Sequence, residues 1–228
     1  MPINAFLFDC GGVMLRDMDA SIYQRWEQRL GLSAGELESR LWQGDIWDQV
    51  AVGRITEGQF WQRSATRLGL TDPAHIDALR DDLWDSWTVD AQVLGLVDRL
   101  RQRYRVAMLS NATDALEDLL TERYGIADRF DPILNSARLG LVKPDRAIYE
   151  AALARLELPA HEIVFVDDHA ENVAAAAALG FHVIWFVNAA ELERQLAFYL
   201  GNGKHVIREG DHHQDAKDTK RTENVGEN

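Results

Sequence analysis

Short apolar runs alternate with longer helical patterns through most of this chain, and that alternation constrains its fold more than any other feature. Strand-length runs are expected at 5–9, 106–110, 132–135, 163–167 and 183–186, and helical patterns at 113–123, 145–156, 172–180 and 189–200. Such a pattern is the signature of βαβ units stacked around a parallel sheet. One irregularity breaks it. Roughly ninety residues separate the first run from the second, far more than a crossover connection needs, so a separate structure is expected to be inserted there.

The inserted text is helical. SIYQRWEQRLG, SAGELESRLWQ, TEGQFWQRSATRLG and AHIDALRDDLWDSW each carry apolar residues three and four positions apart. Six of the seven tryptophans fall within it (Trp26, Trp42, Trp47, Trp61, Trp84 and Trp87). A small helical bundle needs large side chains to fill its core, which accounts for most of them and leaves one or two to face a ligand. The expected organisation is an α/β Rossmann-like core from 1–17 and 89–200, an all-helical cap from 18–88, and a polar tail from 201–228. Paired histidines, His212 and His213, stand in that tail.

Bulk properties exclude several classes. With 228 residues and 46% hydrophobic content, the chain can bury one core plus a satellite. A formal net charge of −13 argues against sequence-independent nucleic-acid binding, which needs clustered lysine and arginine. The single cysteine, Cys10, rules out an intramolecular disulfide and suits a reducing compartment. No basic leader precedes the first apolar run, and no run is long enough to span a membrane, so a cytoplasmic protein is expected.

In an open parallel sheet, ligands bind beyond the carboxyl ends of the strands. Polar groups accumulate at that edge: Asp9 after the first strand, Ser110 and Asn111 after the second, Lys143 ahead of the helix that follows the third, and Asp167 with Asp168 after the fourth. Each has a local alternative. Asp9 can start a turn, Ser110, Asn111 or Thr113 can cap a helix, Lys143 before Pro144 can be a solvated loop lysine, and Asp168 with Glu171 spells a capping box. Local explanations do not say why all of these share one edge. Two carboxylates about 5 Å apart repel by roughly 3 kcal/mol at an effective dielectric near 20, so three of them require cations. Lys143 supplies one positive charge, and a hard divalent ion with oxygen ligands, Mg²⁺, supplies the rest. Gly11 and Gly12 let the chain turn away from the strand, with backbone N–H groups expected to cradle an oxyanion.

Four motifs, FLFDCGGV, MLSNAT, GLVKPDRAIY and VFVDDHAENV, occur in that order. In this combination the chain resembles haloacid-dehalogenase-like (HAD) superfamily hydrolases of subfamily IA, with a helical cap after the first strand. The last two motifs resemble in particular the branch that holds sugar-1-phosphate phosphatases and the amino-terminal phosphatase domain of soluble epoxide hydrolases. The resemblance implies a phosphoric monoester hydrolase acting on a small phosphorylated metabolite through an aspartyl-phosphate, with no nucleic-acid or membrane partner. It implies Asp9 as nucleophile, Ser110 and Asn111 as holders of the phosphoryl oxygens, and Lys143 as the neutralising cation. Mg²⁺ would be held by Asp9, the Gly11 carbonyl and Asp168, with Asp167 supporting directly or through water.

One position departs from that pattern. Phosphatases of the family generally carry a second acid two residues after the nucleophile, where this chain has Gly11. Asp45, Asp48 and His169 are candidate surrogates, although solvated polar residues are the simpler reading of each. Two alternatives therefore stand beside the phosphatase: a phospho-ligand-binding pseudo-phosphatase, and a metal-independent 2-haloacid dehalogenase. Against the last stand the paired acids Asp167 and Asp168, which that chemistry does not use.

Overall fold

A computed structural model describes residues 2–17 and 20–201. Met18 and the polar tail, including His212 and His213, lie outside the described residues.

Five parallel strands form the central sheet: β1 (Ala5–Phe8), β4 (Arg105–Ser110), β5 (Ile133–Asn135), β6 (Ile163–Asp167) and β7 (His182–Trp185). Their spatial order is β5-β4-β1-β6-β7. The central strands β1, β4 and β6 are buried on both faces over most of their length, so they read as continuous apolar runs rather than as an alternation. Side-chain alternation still divides the core. Phe6, Phe8, Val106, Met108, Val164 and Val166 face α6 (Ala91–Leu100) and α11 (Ala189–Gly201). Ala5, Leu7, Ala107, Leu109, Ile163 and Phe165 face α9 (Arg146–Leu156) and α10 (Ala170–Ala178). All five expected strands are present within a residue of their bounds. Helix α6 was not anticipated, and the expected helix at 113–123 is a short α-turn, Leu116–Asp118, running into a π-helix, Leu119–Arg123.

Central strand β1 pairs with β4 on one side and β6 on the other, Phe8 lying opposite both Met108 and Val166. The chain therefore builds the sheet outward in both directions from β1. The crevice beyond its carboxyl end is the topological switch point, where open α/β sheets bind ligands.

The insertion after β1 is helical: α1 (Ala20–Leu30), α2 (Glu36–Trp42), α3 (Asp45–Ala51), α4 (Glu57–Arg67) and α5 (Pro73–Ser86). A capping box starts α4, with Thr56 accepting from the Gln59 amide and Gln59 returning the bond; Asp72 ahead of Pro73 caps α5. These helices enclose their own apolar cluster, in which Trp26, Trp42, Trp47, Trp61 and Trp84 pack with Phe60, Leu41 and Leu79. Trp87 does not join it. That residue begins β3 (Trp87–Val89), which pairs antiparallel with β2 (Leu15–Asp17), a ribbon the sequence reading missed because three-residue strands carry almost no periodicity.

The helical segment meets the sheet domain at named points. Gly53 has φ +68° and approaches so closely that a Cβ there would lie 2.1 Å from the Ala137 carbonyl oxygen. The Glu57 amide donates to Asp114 at 2.7 Å, and the Thr113 hydroxyl donates to the Glu57 carboxylate at 3.2 Å. The same carboxylate accepts the indole N–H groups of Trp61 and Trp84.

Candidate functional site

Strand β1 delivers Asp9 to the switch point one residue past its end, and β6 delivers Asp167 beside it. Lys143, in the loop that leads from the helical turn Ser136–Leu139 into α9, reaches both: its Nζ lies 2.7 Å from Asp9 Oδ1 and 2.7 Å from Asp167 Oδ2. All three side chains are buried. Helix α9 starts only at Arg146, so Lys143 precedes it in an extended loop whose Lys143–Pro144 peptide is cis. The reading of Lys143 as a solvated loop lysine fails, because burial without partners would be prohibitive for an ammonium.

Asp167 is saturated. Its oxygens accept from Lys143, from the His169 amide at 2.8 Å and from both approaches of the Asn172 side-chain amide, at 3.0 and 3.1 Å. Asn172 is itself held where Tyr149 donates to its carbonyl. Sequence reading passed over Asn172; the signal was a lone amide among the alanines of α10, five residues after an acid. Asp168, half-buried, points the other way, with His169 Nδ1 2.8 Å from its carboxylate and Trp185 donating to its carbonyl. His169, not Asp168, is the N-cap residue of α10, so no Asp168–Glu171 capping box forms.

Electrostatics follow from this packing. Burial pushes the Asp9 carboxyl up, Lys143 opposes, Asp167 and Asp168 add to the rise, and the result is about 7. Burial alone would depress the Lys143 ammonium, but Asp9 and Asp167 outweigh it and hold the charge. The hydrogen bond to Asp168 pushes His169 up to about 9. Burial, with Asp9 alongside, drives the Cys10 thiol upward, so it stays protonated and packs as an inert residue.

One expectation needs correction. Gly12 was expected to offer its N–H to an oxyanion, but that amide donates to the Leu15 carbonyl at 2.8 Å, closing the turn. The glycine is required for another reason: φ is +75°, and a Cβ would lie 2.1 Å from Asp168 Oδ2. The Asn111 side chain bonds the Lys143 backbone at both ends, Oδ1 accepting at 2.8 Å and Nδ2 donating at 2.9 Å, so any hold of Asn111 on a phosphoryl oxygen falls to its backbone. Ser110 is buried at the end of β4, and neither it nor Asn111 caps the following helix.

Asp9, Asp167, Asp168 and His169 bring ligand atoms within 4.8 Å of one another, so a metal-ligating constellation exists among the described residues. Because Asp167 is saturated, the carboxylate oxygens of the cluster left for a cation are those of Asp9 and Asp168. Carboxylate oxygens gathered around a single ammonium are the donor set that a hard divalent ion prefers, and such an ion would also favour the ionised form of Asp9. Asp45 pairs with Arg67 on the surface and Asp48 is exposed, so neither belongs to the cluster.

A family model described as haloacid dehalogenase-like hydrolase matches residues 3–180. The chain is 29% identical to a drimenol cyclase, drtB, of Aspergillus calidoustus over 69% of its own residues, spanning only 30% of that protein's length. It is 32% identical to a sesquiterpene phosphatase, astK, of Aspergillus oryzae, over 60% of this chain and 69% of that one. An (S)-2-haloacid dehalogenase of Pseudomonas is 24% identical over 80% of this chain and 84% of its own. Among solved structures, a HAD family enzyme from Bacteroides thetaiotaomicron, in complex with magnesium and inorganic phosphate, superposes with TM-score 0.67 at 22% identity, covering 80% of this chain and 93% of that one.

Proposed function

The chain belongs to the haloacid dehalogenase-like hydrolases, and from that premise we propose that it is a Mg²⁺-dependent phosphatase of small phosphorylated metabolites, with sugar phosphates the first class to test. One observation carries the reading: Lys143 bridges a strand-end carboxylate, Asp9, to a second one, Asp167, at 2.7 Å each, with Asp168 beside them. A binding module has no need to bury a nucleophile against its own neutralising cation.

In this reading Asp9 attacks phosphorus, a new carboxylate-oxygen-to-phosphorus bond forms as the ester bond breaks, and water then releases inorganic phosphate and restores Asp9. Lys143 holds one Asp9 oxygen, fixing which oxygen attacks, and shields the charge that builds between nucleophile and phosphate. Asn111 positions Lys143, while Ser110 would hold a phosphoryl oxygen. Asp9, the Gly11 carbonyl and Asp168 would hold Mg²⁺, which when bound supplies charge neutralisation to the phosphoryl oxygens. Asp167 and Asn172 fix Lys143 from behind. The helical insertion acts as a cap that closes over the edge and excludes water. A reducing cytoplasm suits the single buried thiol.

The named activity of the fungal phosphatase, and the magnesium and inorganic phosphate in complex with the bacterial enzyme, support this reading. The dehalogenase relative favours a second one, since attack on carbon needs neither metal nor second acid. The test serves both. Phosphate release from a panel of phosphate esters is measured with Mg²⁺ and with EDTA, for wild type and Asp9→Asn, alongside chloride release from 2-haloacids. Metal-dependent phosphate release that vanishes in Asp9→Asn is expected. Metal-independent halide release without phosphatase activity would replace the reading with the dehalogenase.

A further inference from the structure

Two of the contacts between the helical segment and the sheet domain lead to the loop that follows β4. Gly53 packs against the Ala137 carbonyl, and Glu57 meets Thr113 and Asp114. Ala137 stands in the helical turn Ser136–Leu139, and residues of that turn and of its N-cap hold the same loop from the sheet side. Asn135 Nδ2 donates to the Thr113 carbonyl at 2.9 Å. Ser136 Oγ accepts from the Ala112 amide at 2.9 Å and donates to the Ala112 carbonyl at 3.3 Å. The Arg138 guanidinium donates to the Asp114 carbonyl at 3.0 Å. The loop backbone is thus fastened by the sheet domain, whereas the side chains of Thr113 and Asp114 both turn to one residue of the insertion, Glu57.

Glu57 is held from both sides. It is the first residue of α4, after the N-cap Thr56, so its amide has no partner within the helix. Asp114 takes that amide at 2.7 Å and sets a carboxylate at the positive end of the helix. The Glu57 carboxylate divides its own oxygens between the two domains. Oε1 accepts the indole N–H groups of Trp61 at 2.9 Å and Trp84 at 3.3 Å, inside the aromatic cluster of the insertion. Oε2 accepts the hydroxyl of Thr113 at 3.2 Å, and Thr113 is buried two residues beyond Asn111. One side chain therefore joins the core of the insertion to the loop that begins with Ser110 and Asn111.

Resting on the phosphatase reading, we infer that Glu57 is a positioning residue: it makes the catalytic geometry of the loop after β4 conditional on the docked helical segment. With the segment docked, Thr113 and Asp114 are pinned, and Asn111 between them and Lys143 sets the lysine backbone. With the link broken, the loop keeps its anchors to the sheet domain and loses those of its two side chains. Turnover then falls although no reacting group has been removed.

The test compares Glu57→Ala, Glu57→Gln and Thr113→Val with the wild type in two measurements. One is kcat and KM on p-nitrophenyl phosphate with Mg²⁺; the other is amide hydrogen exchange of the 111–116 segment by mass spectrometry. Glu57→Ala should lower kcat by about tenfold or more, with a smaller change in KM. Exchange of the segment should quicken by about tenfold or more. Thr113→Val removes only the hydroxyl and leaves both indole bonds in place, so it should reproduce part of both effects even where Glu57→Ala loosens the helical core. Glu57→Gln should restore most of the loss, because its carbonyl oxygen can take the indoles while its amide donates to the Thr113 hydroxyl. A lowered Tm with kcat and exchange unchanged in Glu57→Ala and Thr113→Val overturns the inference and leaves the phosphatase reading intact. Equal losses in Glu57→Gln and Glu57→Ala overturn it too, since the carboxylate would then act through its charge. No phosphate release from any ester by folded wild type overturns the phosphatase reading, and the positioning role with it.

Discussion

Asn111 and Lys143 are tied to each other twice, side-chain oxygen to backbone amide at 2.8 Å and side-chain amide to backbone carbonyl at 2.9 Å. The pair joins the loop after β4 to the loop before α9, and it sets where the Lys143 backbone sits before its side chain reaches for Asp9. Asn111→Ala should therefore lower kcat by about 10- to 100-fold, as loss of positioning does, with a smaller change in KM. Steady-state kinetics beside a thermal melt check this, since a change confined to Tm would make the pair merely structural.

Lys143 is the sole ammonium between two buried carboxylates. Lys143→Met leaves both unpaired and should destabilise the fold by about 3–5 kcal/mol, the usual result of breaking a buried pair from one side. Adding Asp167→Asn to Lys143→Met should recover part of that loss. Urea unfolding of the four members of this cycle measures the coupling; strictly additive losses would show that Lys143 and Asp167 do not depend on each other.

Asp9 costs stability when ionised. Its carboxyl titrates near 7 when folded, against an ordinary value of 3.8, so between those values the folded chain holds a proton that the unfolded chain has released. In metal-free buffer its contribution to stability therefore falls as pH rises from about 4 to 7, and the penalty is complete above 7. Asp9→Asn should abolish phosphate release, raise Tm at pH 8 by a few degrees, and make stability less dependent on pH across that window. Melts in EDTA at pH 5 and pH 8, wild type beside variant, read the difference; an equal drop in both would place the pH dependence elsewhere.

Gly12 meets Asp168 in a contact that admits no side chain. Gly12→Ala would place a Cβ 2.1 Å from the Asp168 carboxylate at a φ of +75°, so the carboxylate must move. Mg²⁺ affinity, followed by calorimetry or by the Mg²⁺-induced rise in Tm, should weaken by about tenfold or more, in the range usual for disturbed ligand positioning. Gly31→Ala has a similar positive φ but nothing within 4 Å, and serves as the control for backbone strain alone.

Much of this molecule was legible before any coordinates. Apolar runs on Ala5–Phe8 and Ile163–Asp167 placed the strands because strands buried on both faces leave no other pattern, and the acids following them had to emerge at one edge. The gap between β1 and β4 announced the helical insertion for the same reason of length. What the linear text could not carry is any relationship made across the fold. Asn172 looked like one more polar helix residue until it met both Asp167 oxygens; Asn111 showed no link to Lys143 until its two ends met that residue's backbone. Trp87 looked like the sixth tryptophan of a bundle. Its place beside Gly11 depends on a three-residue ribbon that returns the chain across some seventy intervening positions, and pairing at that separation is settled by packing, not by local propensity. Composition, the succession of strands along the chain and the identity of the acids belonged to the sequence. Which oxygen each donor takes, and which ring fills the space beside Gly11, were decided only when the two strands on either side of β1 and the returning ribbon closed on the same few ångströms.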